Sequence, residues 1–127
     1  MNLPDIEAKR IEVAQFLSQF KLASAGQRPV VSKRPKNLQT LIDLGLTLNE
    51  QASIIFSLTP EDYVSGPESD FDRPGFVWVF GIKVAATEIY IKLKIAEYTP
   101  IDTSIPVRQA LCLSFHPADR PMNYPLK

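Results

Sequence analysis

Apolar and polar residues alternate most cleanly over Thr87–Tyr98, TEIYIKLKIAEY. Successive side chains of an extended chain point to opposite sides. Ile89, Ile91, Leu93 and Ile95 therefore share one face, and Glu88, Tyr90, Lys92 and Lys94 share the other. The pattern predicts a half-buried strand with an apolar floor and a basic, tyrosine-bearing roof. Two more strands are predicted around it. Phe76–Val84 precedes it through a tight turn near Ala85-Ala86, and Gln109–Phe115 follows the proline-containing connection Thr99–Arg108. In the last strand Leu111, Leu113 and Phe115 alternate with Ala110, Cys112, Ser114 and then His116. Adjacent antiparallel strands in this order predict a meander.

The N-terminal half follows a helical period instead. Pro4 suits a first turn, with Asp5 and Glu7 near the positive end of the helix. Ile6, Val13, Leu17 and Phe20, with Arg10 interposed, predict an amphipathic helix of about five turns that ends at Ala25-Gly26. Residues 27–36, QRPVVSKRPK, read as a solvated basic loop with room for a short strand at Val30–Val31. Asn37 is expected to cap a short helix through Leu38, Leu41 and Ile42, closed by Gly45. Thr47 and Glu50 form a capping box for the next helix, whose buried side is Ile54, Ile55 and Leu58. Thr59-Pro60-Glu61-Asp62 repeats the device for a single turn ending near Tyr63.

Residues 65–75, SGPESDFDRPG, lose all periodicity and read as a loop between a helical and a β half. The β half has one apolar face and needs the helices to cover it. Residues 1–127 are therefore expected to form one domain of class α+β, with N-terminal helices on one face of a small antiparallel sheet. The tail, HPADRPMNYPLK, is expected to pack as an extension.

Composition narrows the function classes. One cysteine, Cys112, excludes an internal disulfide and fits a reducing, cytoplasmic setting. The opening MNLPDIEAKR has no apolar core of a secretory signal, and no run approaches the roughly 20 apolar residues of a membrane span, so no membrane association is expected. The net charge is zero, but its distribution is uneven. Residues 1–75 carry eight Lys/Arg against ten Asp/Glu, and residues 76–127 carry six against four. Any basic footprint is thus local to the C-terminal half.

If the aliphatic faces of the last two strands both meet the helices, their other faces lie together. That places Tyr90, Lys92 and Lys94 beside Cys112, Ser114 and His116, the only histidine, with Lys83 joining from the first strand if the register permits. This set suits phosphodiester chemistry without a metal. A neutral imidazole takes a proton from an RNA 2′-hydroxyl, a lysine ammonium stabilises charge on phosphate oxygens, and a tyrosine holds a phosphate or stacks on a base. A lone histidine is also a common structural residue, alternating lysines are a common solvated face, and Tyr90 also suits cross-strand packing. One His and one Cys do not make a zinc site, and no nucleotide-binding or nucleophile-elbow motif occurs. Glu61, Asp62, Glu68, Asp70 and Asp72 read as helix capping and a solvated loop rather than a calcium site. No metal and no small-molecule cofactor is expected.

The runs LGLTLNEQASIIFSLTPEDY, WVFG, EIYIKLKI and ALCLSFHPADRPMNYP, with KNLQTLIDLGL before them, resemble the MqsR-family toxins of bacterial type II toxin–antitoxin systems over about residues 36–127. The resemblance implies a RelE-like fold, sequence-selective cleavage of single-stranded mRNA, and a cognate antitoxin as partner. It leaves open whether the ribosome presents the message. Carried over, the family's tyrosine and strand lysine fall at Tyr90 and Lys92. The functional lysine after S-F is replaced by His116, a further lysine of the family falls at Ser65, and a polar residue after the strand tryptophan falls at Val79. The leading expectation is a metal-independent endoribonuclease with His116, Lys92 and Tyr90 as catalytic residues and Lys83, Lys94 and Ser114 contacting RNA. A non-catalytic RNA- or protein-binding module is the alternative, and a metal-dependent enzyme a third reading.

Overall fold

The computed structural model describes residues 2–127. Helix α1 (Leu3–Ser24) leads to the two-residue strand β1 (Val30–Val31), then α2 (Pro35–Leu44), α3 (Leu48–Phe56) and a single 3-10 turn (Pro60–Asp62). Strands β2 (Tyr63–Ser69), β3 (Phe76–Val84), β4 (Thr87–Tyr98) and β5 (Val107–Pro117) follow. The class is α+β, with N-terminal helices packed against one sheet. The sheet has five strands in the order β1-β5-β4-β3-β2. β1 runs parallel to β5, so the sheet is mixed rather than purely antiparallel.

Local chemistry accounts for the helices. The Asn2 side chain caps α1 by accepting from the Asp5 N–H at 2.9 Å, and Ala25 closes it in the left-handed region at φ 52°. Val13, Phe16, Leu17 and Phe20 lie three and four residues apart on one stripe and are its buried residues. Phe16 stacks on Trp78 of β3 at 4.6 Å between ring centroids. The capping box of α3 forms as expected, with Glu50 N–H donating to Thr47 Oγ1 and Thr47 N–H donating to Glu50 Oε1.

Two expectations are corrected in this half. Residues 63–69 are a strand, although nothing there alternates. β2 pairs with β3 through two register shifts, and each shift breaks the period that would have revealed it. Asn37 does not cap α2. Pro35 starts that helix, and Asn37 is buried in its first turn.

The Asn37 side chain is instead committed to β5. Along β5, Ser114 pairs with Lys92 but Cys112 pairs with Leu93, which leaves Leu113 as an extra residue. This β-bulge reverses the alternation of the strand. Phe115, Cys112 and Ala110 all join the core, while His116 and Ser114 register with Tyr90 and Lys92 on the other face. The expectation that Cys112 shares the basic face is therefore overturned: it is fully buried in the core. The Asn37 amide stands in for a neighbouring strand at this point. Its Nδ2 donates to the carbonyls of Leu113 (3.2 Å) and Ser32 (2.9 Å), and its Oδ1 accepts from the Phe115 N–H (2.9 Å). The Ser32 N–H donates to the Cys112 carbonyl at 2.9 Å, so the ladder of β1 runs directly into the side chain of α2.

Asn37→Ala is predicted to destabilise the fold by about 2–4 kcal/mol, because buried backbone groups of the bulge lose their partners. Asn37→Asp keeps the shape but sets a carboxylate against two carbonyls, so it is predicted to be at least as damaging. Urea unfolding measures both, and a loss below about 1 kcal/mol in each would contradict the clamp.

Candidate nucleic-acid interface

The face of the sheet opposite the core carries Lys83, Gly81, Val79 and Val77 from β3, Glu88, Tyr90, Lys92 and Lys94 from β4, and His116, Ser114 and Leu111 from β5. Three features divide it. The first is the C-terminal tail, which folds back onto β4. The Ala118 N–H donates to the Glu88 backbone carbonyl, the Met122 N–H donates to Glu88 Oε1 at 3.1 Å, and Tyr124 Oη donates to Glu88 Oε2 at 2.7 Å. Burial and the Glu88 contact both push the Tyr124 phenol well above its ordinary pKa, so it stays a donor. Leu126 is fully buried in the core beyond it. A Cβ at Gly81 would run into Met122 Cε and Tyr124 Oη, so a larger residue there would have to displace these two tail side chains. The tail is a packed extension.

The second feature is the turn between β2 and β3. Asp70 Oδ2 accepts from Lys94 Nζ at 2.6 Å, and the Lys94 side chain is only 4 % exposed. Gly75 lies so close that an added Cβ would sit 3.2 Å from Lys94 Cε. Lys94 is thus removed from the open row. It is buried and neutralised, and the expectation that it meets RNA is corrected.

What remains open is the third feature, a cluster around His116. The His116 and Tyr90 rings are a direct cross-strand pair and stack with centroids 5.5 Å apart and planes 18° from parallel. His116 Nδ1 lies 3.0 Å from the Pro117 carbonyl. A carbonyl only accepts, so this contact requires the proton on Nδ1 and leaves Nε2 as the lone-pair nitrogen of the neutral ring. Burial, with a smaller contribution from Glu68, raises the Tyr90 pKa and keeps its phenol protonated. Lys92 stands two residues along β4 on the same face, roughly 7 Å away along the strand. The ion pairs among the described residues are Lys9–Glu12 and Lys94–Asp70, so Lys92 has no carboxylate partner.

The sequence-predicted site is therefore brought together in part. His116, Tyr90 and Lys92 converge. Ser114 lies between them in register but is 4 % exposed, too enclosed to offer its side chain to a ligand. Lys83 is on the same face but opens onto a separate hollow with Glu61, Asp62 and Glu88, walled in part by Tyr124 and Lys127 of the tail. Sequence reasoning did not single out Lys36. Helix α2 places it, with Gln39, Thr40 and Asp43, in a hollow of about 240 Å³ that also contains His116, Pro117 and Asp119. Its only signal was membership of the basic 27–36 run.

Cys112, although near in sequence, is an inert core thiol whose pKa burial pushes up to about 12. Among the described residues, no three His, Cys, Asp or Glu side chains gather as a metal-binding group. No helix among them is long and apolar enough to cross a membrane. Comparison with protein-family models, curated proteins and solved structures finds no match.

The Asp70–Lys94 pair has a pH signature. The hydrogen bond from Lys94, and then the Asp72 N–H, hold the Asp70 carboxyl below its ordinary pKa. A carboxyl depressed in the folded state stabilises it above the unfolded value of about 3.9, and that contribution is lost as pH falls through the folded value. Asp70→Asn is predicted to lower Tm at neutral pH, where Lys94 loses its counter-charge, and to flatten the acid limb of the Tm–pH curve. An acid limb unchanged in the variant would contradict the pairing.

Proposed function

We propose that this chain is a metal-independent endoribonuclease toxin of a type II toxin–antitoxin system, acting on single-stranded mRNA in the cytoplasm and neutralised by a cognate antitoxin. The observation that carries the reading is the stacked Tyr90–His116 pair beside a lysine without a carboxylate partner, all three half-buried at the part of the face left open. The resemblance to MqsR-family toxins supports it, since the tyrosine and lysine positions of that family fall on Tyr90 and Lys92.

The chemistry follows from the three side chains. His116 Nε2 takes the proton of a ribose 2′-hydroxyl. The 2′-oxygen forms a bond to the adjacent phosphorus as the bond to the 5′-oxygen breaks, and the leaving oxygen is protonated from solvent. The products are a 2′,3′-cyclic phosphate and a 5′-hydroxyl. The Lys92 ammonium stabilises the negative charge that gathers on the non-bridging oxygens. The Tyr90 ring positions an unstacked base, or its phenol donates to the phosphate. Lys36 supplies a second cation from α2 on the far side of His116.

A binding module without catalysis is favoured by one observation. Ser65, Val79 and Lys92 lie in one row across β2, β3 and β4, and the first two fall where the family has polar side chains. The row that surrounds Lys92 is correspondingly poor in charge.

Incubating the purified chain with single-stranded RNA in excess chelator separates these readings. The nuclease reading predicts fragments with 2′,3′-cyclic phosphate and 5′-hydroxyl ends. His116→Ala is expected to lower the rate by about 10²–10⁴-fold and Lys92→Ala by about 10²-fold, with the fold intact. RNA binding without fragments would favour the binding module, and cleavage restored only by a divalent ion would favour a metal-dependent enzyme.

A further inference from the structure

A second site lies at the opposite edge of β5, away from the His116 cluster. The short strand β1 is the edge of the sheet, and α2 and α3 rise beside it. Between them runs a groove of about 360 Å³ with walls that include Val31, Leu38, Leu41, Leu48 and Ala52. Leu38, Leu48 and Val30 on its rim are about half exposed, at 47 %, 52 % and 52 %. Gln51 lines the same groove. It is 2 % exposed, yet its Nε2 has no hydrogen-bond partner. A buried amide donor left unpaired costs about 1–3 kcal/mol, so this donor fits an acceptor brought by a ligand.

Backbone geometry indicates the kind of ligand. The Ser32 N–H donates to β5, so by strand alternation the N–H and C=O of Val31 point to the free edge. An extended peptide pairs with such an edge through its own backbone. Pro29 and Pro35 bracket the edge and confine the pairing to a few residues. Arg28 and Lys33 line the groove, Arg34 and Lys36 follow them, and no Asp or Glu occurs from residue 27 to residue 42. The rim thus favours a negatively charged occupant. Nucleic acid fits poorly, because no aromatic side chain lines the groove to stack a base. A two-fold pairing of this chain with itself would set the basic rims against each other.

We propose that this groove receives a short extended segment of a partner protein, apolar at alternate positions and acidic at its flanks, which adds as a strand along β1 and gives Gln51 Nε2 its missing acceptor. The proposal is independent of the nuclease reading.

The test is an NMR titration of the isotope-labelled chain. The probe is a pool of acetylated, amidated heptapeptides with Val, Ile, Leu or Thr at alternating positions and Glu at both ends. The expected result is saturable shifts at Val31, Leu38, Leu48 and the Gln51 side-chain amide. Replacing the terminal Glu by Lys is expected to weaken binding about tenfold, and Lys33→Glu to do the same. Gln51→Leu removes the donor. The surface variant Leu48→Glu blocks the groove without touching the core, and carries the test if Gln51→Leu fails to fold. No saturation by about 1 mM peptide, or binding unchanged by Leu48→Glu and Lys33→Glu, would overturn the proposal. So would the same shifts produced by a single-stranded oligoribonucleotide, or by raising the protein concentration alone.

Discussion

The amide of Asn37 is the contact on which the arrangement of the sheet depends. It bonds the carbonyl of Leu113, the extra residue of the β5 bulge, together with the N–H of Phe115 and the carbonyl of Ser32. A bulge leaves ladder groups without strand partners, and a buried unpaired group is costly, so the bulge persists only where something else meets those groups. Asn37 meets them from the first turn of α2 and so ties the helix, the edge strand and the bulge into one unit. Because the bulge changes the phase of β5, the same strand sends Ala110 and Cys112 into the core and turns His116 onto the face of Tyr90.

That face is then reduced to a small opening by segments from elsewhere in the chain. The tail seals the Gly81 side through Met122 and Tyr124. The β2–β3 turn encloses Lys94 and supplies its counter-charge from Asp70. Of a row of lysines that looked equivalent, one is buried in an ion pair, one opens onto a separate hollow beside the tail, and Lys92 is left beside the stacked rings. The selection is electrostatic as well as steric. A lysine without a carboxylate partner keeps its charge available to a phosphate, and a paired one does not.

How much of this was legible follows from which contacts are local. The two faces of β4 were readable because every floor position from Ile89 to Ile95 is aliphatic and every roof position from Glu88 to Lys94 is polar or aromatic. The α3 capping box was readable because its partners lie three residues apart. The phase of β5 was not. Ala110, Leu111, Cys112 and Leu113 are all apolar, so both phases offer a plausible core face. The choice is made by Asn37, 76 residues before Leu113. The fate of Lys94 depended on Asp70, in a segment with no periodicity to mark its position. Lys36 neighbours His116 only because α2 runs alongside β5.

The most direct measurement is the reactivity of Cys112 toward a chromogenic thiol reagent in the native protein and in urea. It is the only cysteine, so the signal is unambiguous. The bulged strand buries the thiol completely and holds it protonated. Native Cys112 should therefore react at least about 100-fold more slowly than in the unfolded chain, and only as fast as the protein opens. Reaction in the folded protein as fast as in urea would place the thiol on the open face beside Lys92. It would mean that β5 keeps strict alternation, with Cys112, Ser114 and His116 on one face, and the bulge and the Asn37 clamp on it would fall.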